Sequence, residues 1–327
     1  MKLVSRAYFG FACIILTSQA CGQDIRVHDP VMIKQGNTYY LFCTGMGISV
    51  FSSSDWKNWK KEDPVFNSPP TWAVETIPSF KGHIWAPDIS FHNGQYYLYY
   101  SVSAFGKNTS CIGLATNKTL DPASRDFKWI DHGKVIQSVP GRDLWNAIDP
   151  NLAFDDQQNP WLTFGSFWSG MKLVKLDASL TKIAEPQEWY TISKRARDFK
   201  TDDYSAGEGP VEAPFIFKKN GYYYLFVSFD YCCRGVHSNY KVVVGRSAKI
   251  QGPYLDQDGV RMDHGGGSLV IEGNKDWPGV GHNSTYTFDG THYLVFHAYD
   301  AKDEGKPKLK ISKIEWDSNG WPVCKLP

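Results

Sequence analysis

The chain has 327 residues, with 35 Lys and Arg against 34 Asp and Glu. Setting aside Lys2 and Arg6 in the leader leaves a net charge of about −1, with no basic stripe, which argues against nucleic acid or anionic lipid as a partner. Roughly 300 mature residues would suffice for two average domains, but one pattern repeats without a break to the C-terminus, so residues 21–327 are read as a single domain.

Lys2 and Arg6 give the N-terminus a basic start, residues 8–16 are apolar but too short to span a bilayer, and Ser18-Gln19-Ala20 forms a small-residue cleavage site. Residues 1–20 are therefore read as a signal peptide, which implies a secreted or periplasmic protein. Cleavage would leave Cys21 first, and Ser18-Gln19-Ala20-Cys21 loosely matches a lipobox. Anchoring as an outer-membrane lipoprotein through Cys21 thus stands beside ordinary secretion. No other apolar run approaches transmembrane length.

The first repeat opens at Asp29-Pro30 and runs to Tyr39-Tyr40-Leu41-Phe42. The second opens at Trp85-Ala86-Pro87 and reaches Tyr96-Tyr97-Leu98-Tyr99; the third runs from Asp149-Pro150 to Trp161-Leu162-Thr163-Phe164. The fourth, from Glu212-Ala213-Pro214, has Asn220-Gly221 between apolar, aromatic-rich runs, a strong hairpin signal. The fifth begins at His282-Asn283 and ends at Tyr293-Leu294-Val295-Phe296. A third β-type run follows each hairpin, at 47–51, 111–115, 171–176, 241–245 and 309–314. Five such units predict an all-β, five-bladed β-propeller with one sheet per repeat.

Other features are read as structural. Residues 53–59 vaguely resemble a sialidase Asp-box without its glycine and predict an outer-strand turn. Gly265-Gly266-Gly267 lacks phosphate-loop spacing and is read as a turn. With Cys13 in the leader, six cysteines remain and none forms a C-x-x-C pair, which argues against structural zinc. Cys232 and Cys233 are adjacent, as a vicinal disulfide or as two thiols at a blade end.

The innermost strand of each blade borders the central channel, so equivalent opening positions converge there. In this register they are Asp29, Trp85, Asp149, Glu212 and His282: three carboxylates, an indole and an imidazole. Inverting hydrolysis of a glycosidic bond needs a carboxylic acid at the leaving oxygen and a carboxylate to activate water, about 6.5–9.5 Å apart. A third carboxylate nearby raises the pKa of the acid by like-charge repulsion. Trp85, Phe105, Phe167 and Trp168 stand at strand ends or in loops, where a ring face can stack on a sugar.

The chain resembles an arabinanase of glycoside hydrolase family 43 over about residues 27–323. The resemblance rests on Val-His-Asp-Pro at 27–30, Trp-Ala-Pro-Asp at 85–88, Trp-Asn-Ala-Ile-Asp-Pro at 145–150 and Phe-Gly-Ser-Phe-Trp-Ser-Gly at 164–170. Glu-Ala-Pro-Phe at 212–215, Ser-Phe-Asp-Tyr-Cys-Cys-Arg-Gly at 228–235 and Gly-His-Asn at 281–283 complete it. It implies a five-bladed propeller and endo-acting, inverting hydrolysis of α-1,5-linked L-arabinofuranosyl chains, with arabinan and arabino-oligosaccharides as partners. By resemblance Asp29 is the general base, Glu212 the general acid and Asp149 the residue that tunes the acid, with Glu208 a competitor for Glu212. Asn146, Ala147, Ile148, Ser166, Phe167, Trp168, Trp85 and the Phe105-Gly106 loop would hold the sugar. The resemblance also implies calcium at the channel centre on His282; the sequence alone reads that histidine as a hydrogen-bonding residue. An exo-acting relative and a non-catalytic sugar-binding propeller are the alternatives. No protein partner is expected, and the chain is read as a monomer.

Overall fold

All five predicted hairpins form. The computed structural model describes residues 24–327; the leader, its cleavage site and Cys21 lie outside the described residues. Val31–Gln35, Thr38–Cys43, Ser49–Ser53 and Lys60–Glu62 make the first antiparallel sheet. His83–His92, Gln95–Val102, Ser110–Asn117 and Ile130–Ser138 make the second, joined at its inner edge by Gly45–Met46. Asn151–Phe154, Pro160–Phe164, Met171–Lys175 and Trp189–Ser193 form the third. Val211–Lys219, Tyr222–Phe229, Lys241–Ser247 and Ser268–Glu272 form the fourth. The fifth has Val280–Phe288, Thr291–Asp300 and Lys306–Lys313.

The first strands of the five sheets touch in cyclic order, the fifth against the first, so the sheets are blades around one channel. The ring closes through the N-terminus. Arg26 bridges Lys308, the Val27 amide donates to Pro307 O at 3.2 Å, and the Leu309 amide donates to Ile25 O at 3.1 Å. Residues 25–27 thereby supply the fourth blade position that the fifth repeat lacks.

Strand alternation explains the packing. Successive side chains of a strand face opposite sides, so Leu41 and Cys43 enter the apolar layer shared with the fifth blade, while Tyr40 and Phe42 enter the layer shared with the second. Further layers fill the gaps between blades two and three, three and four, and four and five. Most repeated aromatics are thus inter-blade core. The 53–59 stretch is a turn: Asp55 Oδ1 accepts the amides of Lys57 and Asn58 at 2.9 and 2.8 Å. Gly265-Gly266-Gly267 connects a 3-10 turn at Met262–His264 to the strand beginning at Ser268.

One feature of the inner strands corrects the sequence register. The residues with positive φ at the strand heads are Asp29 (54°), Ala86 (40°), Asp149 (58°), Ala213 (55°) and His282 (51°). Trp85 and Glu212 therefore precede the equivalent position by one residue. On these two blades and on the fifth the left-handed residue lies inside a β-bulge: pairing skips between Trp85 and Asp88, Glu212 and Phe215, and Gly281 and Ser284.

Ring closure generates a stability prediction. Val27 is 2% exposed in the layer between the fifth and first blades. Val27→Asp, which puts a carboxylate there, is expected to cost about 2–4 kcal/mol, read as a lower urea midpoint. A midpoint equal to wild type would show that the N-terminal segment does not hold the ring shut.

Candidate active site

Each left-handed head residue has its amide held by a side chain. Asp29 N donates to His297 Nδ1 (3.1 Å), Ala86 N to Thr44 Oγ1 (2.8 Å), Asp149 N to Ser101 Oγ (3.0 Å) and His282 N to Ser228 Oγ (2.9 Å). In every case the acceptor sits at the end of the second strand of the preceding blade. The equivalent residue of the third blade is Gly165, which has no side chain to offer. Asp149 takes its place: the Ala213 amide donates to Asp149 Oδ2 at 3.1 Å. A glycine thus turns the Asp149 carboxylate toward the blade that carries Glu212.

Glu212 is 8% exposed, and hydroxyls grip both its oxygens: Ser166 Oγ donates to Oε2 at 2.7 Å and Tyr240 Oη to Oε1 at 2.8 Å. Tyr240 reaches it because residue 281 is glycine; a Cβ there would stand 2.2 Å from the Tyr240 ring. Glu208 is exposed on the 194–210 segment, outside this cluster. Asp29 is 7% exposed and meets three imidazoles: His28 Nδ1 at 2.8 Å and His282 Nδ1 at 3.0 Å, with His297 Nδ1 at 3.8 Å. Thr44 Oγ1 also donates to its Oδ2 at 2.5 Å.

The two sides of the cluster differ in charge. Burial opposes ionisation of Asp29, but His28 and His282 more than offset it and hold its pKa well below the usual carboxylate range. Asp149 goes the other way: burial, then the charges of Glu212 and Asp29, push its pKa well up, although His282 and the Ala213 amide act in the opposite sense. Burial disfavours the His282 imidazolium, yet Asp29, Asp149 and Glu212 prevail and raise it to about 9. His297, buried beside other imidazoles, is held neutral.

Three imidazoles near one carboxylate raise the question of a metal. His28 has both ring nitrogens engaged, by Tyr299 Oη and by Asp29. His297 accepts the Asp29 amide on Nδ1, so its Nε2 carries the proton; that atom is buried without a partner. His282 differs, since among the described residues nothing hydrogen-bonds its Nε2. The neighbouring Asn283 Oδ1 is a buried oxygen without a partner. With three carboxylates supplying negative charge, this donor set fits a divalent cation held mainly through oxygen and water.

The candidate sugar contacts divide into wall and surface. Phe105 is 80% exposed, and Gly106 lines a groove of about 760 Å³ with Lys107, Asp198, Asp202 and Tyr204. Asp29, Asp149 and Glu212 do not line it, whereas Glu208 does. Trp85 is half-buried, with Nε1 on His83 Nδ1 at 2.9 Å, and Phe167 lies 6.1 Å from the Tyr231 ring. Asn146 is buried with its Oδ1 unpaired. Ser166 bridges backbone to Glu212 as well as bonding its carboxylate.

Two expectations need correcting and a third narrows. Ala147 is fully buried with its amide on Ser138 Oγ at 3.0 Å, so its side chain touches no ligand. Ile148, 7% exposed like Asp29 beside the channel, has its carbonyl taken by the Gly165 amide at 2.8 Å, so any contact with sugar is left to its side chain. Trp168, 5% exposed with Nε1 on Asp203 O at 3.3 Å, props the 194–210 segment and is no open stacking face. Sequence reasoning missed Tyr240, His297, Tyr299 and Tyr204, and assigned no role to His28 inside its motif. His297 was legible as the position two residues beyond the aligned Val295; nothing in the sequence singles out Tyr240.

Residues 24–322 match the family described as Glycosyl hydrolases family 43. An extracellular exo-alpha-(1->5)-L-arabinofuranosidase of Cellvibrio japonicus (strain Ueda107) is 57% identical over 310 residues, covering 94% of this chain and 89% of that protein. An extracellular endo-alpha-(1->5)-L-arabinanase of Bacillus subtilis (strain 168) is 46% identical over 300 residues, covering 90% and 87%. Among solved structures, a Cellvibrio cellulosa alpha-L-arabinanase complexed with arabinohexaose superposes with a TM-score of 0.91 at 56% identity, covering 93% of this chain and 96% of that one. With five blades, a carboxylate cluster at their shared channel and a match spanning nearly its whole length, the chain belongs to glycosyl hydrolases family 43.

Proposed function

We propose that the protein acts outside the cytoplasm as an endo-1,5-α-L-arabinanase, hydrolysing internal α-1,5-L-arabinofuranosidic linkages of arabinan with inversion. The observation that carries this is the division of the cluster. One buried carboxylate, Asp29, is held by imidazoles that keep its pKa low, while Asp149 on another blade has its pKa pushed up and the Glu212 carboxyl beside it is gripped by two hydroxyls. Asp29 takes a proton from the attacking water, and Glu212 delivers one to the departing oxygen. Ser166 and Tyr240 fix the direction in which Glu212 points, and the Ala213 amide fixes the Asp149 carboxylate on the blade before it. The relatives named for α-1,5-arabinan chemistry support this substrate class.

Calcium on His282 is part of the proposal. When bound, the ion would supply positive charge that steadies the carboxylates and orders water; the Asn283 carboxamide and His282, whose Nε2 gives up its proton to the medium on binding, are the residues to hold it. Exo action is the second reading, favoured by the name of the 57% identical relative and by the 194–210 segment beside the groove. Timed digestion of debranched arabinan, with Glu212→Gln as control, separates the two: mixed oligosaccharides early in the reaction mean endo cleavage, whereas one short product from the start means exo.

Glu212→Ala is expected to lower turnover by about 10²–10⁴-fold with an unchanged circular dichroism spectrum. Activity within a few-fold of wild type would move the acid role to another residue, Glu208 first. His282→Ala should lower activity, and chelation should lower the activity or melting temperature of the wild type. Metal analysis that finds no ion in fully active protein would refute the calcium assignment.

Asp149→Asn is expected to reduce the maximal rate and move the alkaline limb of the pH–rate profile downward. Glu212 is among the charges that push the Asp149 pKa up, so the two carboxyls repel when both are ionised and one negative charge favours a proton on the other. Asparagine removes one charge, so the remaining acid loses its proton at lower pH. A limb that stays in place or moves up, in a folded variant, would leave Asp149 as a substrate-binding residue.

A further inference from the structure

Cys232 and Cys233 form a vicinal disulfide, and Cys233 is exposed; the mechanism above makes no use of them. Behind the disulfide a line of hydrogen bonds runs inward. The Cys233 amide donates to Tyr299 Oη at 2.8 Å, Tyr299 Oη lies 2.8 Å from His28 Nε2, and His28 Nδ1 lies 2.8 Å from Asp29 Oδ1. Chemistry sets the direction. An amide only donates, so when the His28 ring is neutral the phenol proton goes to Nε2 and the ring presents its own proton on Nδ1 to Asp29. The His28 ring is stacked on His297 with centroids 4.0 Å apart. Stacking leaves the ring free to turn in its own plane, and the bond from Tyr299 fixes that turn.

We propose that the Cys232–Cys233 disulfide is a redox-responsive positioning element for Asp29, acting through Tyr299 and His28; this rests on the reading of Asp29 as the general base. Cys233 has φ 66°, a region that residues other than glycine seldom occupy, and its covalent tie to Cys232 holds its amide against Tyr299. The flanks are anchored independently. Asp230 pairs with Arg195 and Lys241 at 2.6 and 2.9 Å, the Tyr231 amide donates to Asn239 Oδ1 at 3.0 Å, and the Arg234 amide donates to Ser238 Oγ at 3.1 Å. Opening the disulfide therefore releases residues 232 and 233 without releasing the loop. A dithiol supplies the two electrons and two protons: the S–S bond breaks, two thiols form, and the dithiol closes to its own cyclic disulfide. The Cys233 amide can then turn away from Tyr299, whose hydroxyl becomes free to accept as well as donate, so its proton is no longer committed to His28 Nε2.

The test compares oxidised and dithiothreitol-reduced protein as wild type, Tyr299→Phe, Cys232→Ser/Cys233→Ser and Asp29→Asn, on linear arabino-oligosaccharide. Reduction is verified by two additional titratable thiols beyond those of the oxidised protein. The reduced wild type should lose about 3–10-fold in kcat, the scale of one net hydrogen bond, with KM little changed. Tyr299→Phe should lose a similar factor and be indifferent to reduction, because both changes break one line. Nitrogen NMR of His28 should pass from one tautomer to a mixture. Full kcat in the reduced wild type overturns the proposal, and so does a Tyr299→Phe protein that still responds to reduction. A rise in KM alone also overturns it, since the disulfide would then be touching sugar. If the double serine variant does not fold, the reduced wild type decides. An active Asp29→Asn protein would instead sink the base assignment itself. An inactive one beside unaffected reduced and Tyr299→Phe proteins would sink only the relay.

Discussion

Each inner strand begins with a residue forced into the left-handed region, and the site depends on how those residues are held. For residues with a side chain this conformation costs about 1–3 kcal/mol each and persists only where surroundings fix it. Here the surroundings are a side-chain acceptor from the preceding blade for each head amide. The kink turns Asp29, Asp149 and His282 toward one another. It also ties each blade to its neighbour, so the geometry of the site and the integrity of the ring have a common origin. Inter-blade bonds further along the strands reinforce this: Asp88 accepts the Leu152 amide at 2.9 Å, and Asn151 Oδ1 accepts that of Ile216 at 2.9 Å.

Departures from the five-fold pattern are where chemistry enters. Thr44, Ser101, Ser228 and His297 occupy one equivalent position, and Gly165 occupies the fifth. Because Gly165 contributes no acceptor, a carboxylate from the adjacent position fills the gap and becomes oriented by a backbone amide. Gly281 is a second such place, where the missing Cβ admits the Tyr240 ring and brings its hydroxyl to Glu212. His297 substitutes an imidazole where the others carry hydroxyls. It thereby adds a neutral aromatic ring beneath His28 and Asp29.

Burial gives these groups their contrast. A carboxylate removed from water is disfavoured in its charged form unless opposite charge or donors compensate. Asp29 has compensation from two imidazoles and Thr44; Asp149 has one amide and faces other carboxylates. One ring of equivalent positions thus holds two buried carboxylates, Asp29 and Asp149, whose pKa values are pushed in opposite directions, which is the kind of separation that acid–base hydrolysis uses.

The amino-acid sequence by itself determined the blade count, the hairpins and the convergence of Asp29, Asp149 and His282, because period-two alternation, Asn-Gly turns and a recurring Tyr-Tyr-Leu-Phe run are local properties. The motifs at 27–30, 145–150 and 212–215 also determined the family. Tertiary structure alone decided the one-residue offset of Trp85 and Glu212, since the left-handed residue is the one whose amide meets an acceptor on the preceding blade, Thr44 for Ala86 and Asp149 for Ala213. It likewise decided that Ala147 and Trp168 are wall, that Tyr240 meets Glu212, and that Cys233 connects through Tyr299 to His28. Those contacts join residues as far as 271 positions apart in the chain. They exist because a closed ring brings the first and last repeats side by side, which no spacing along the sequence expresses.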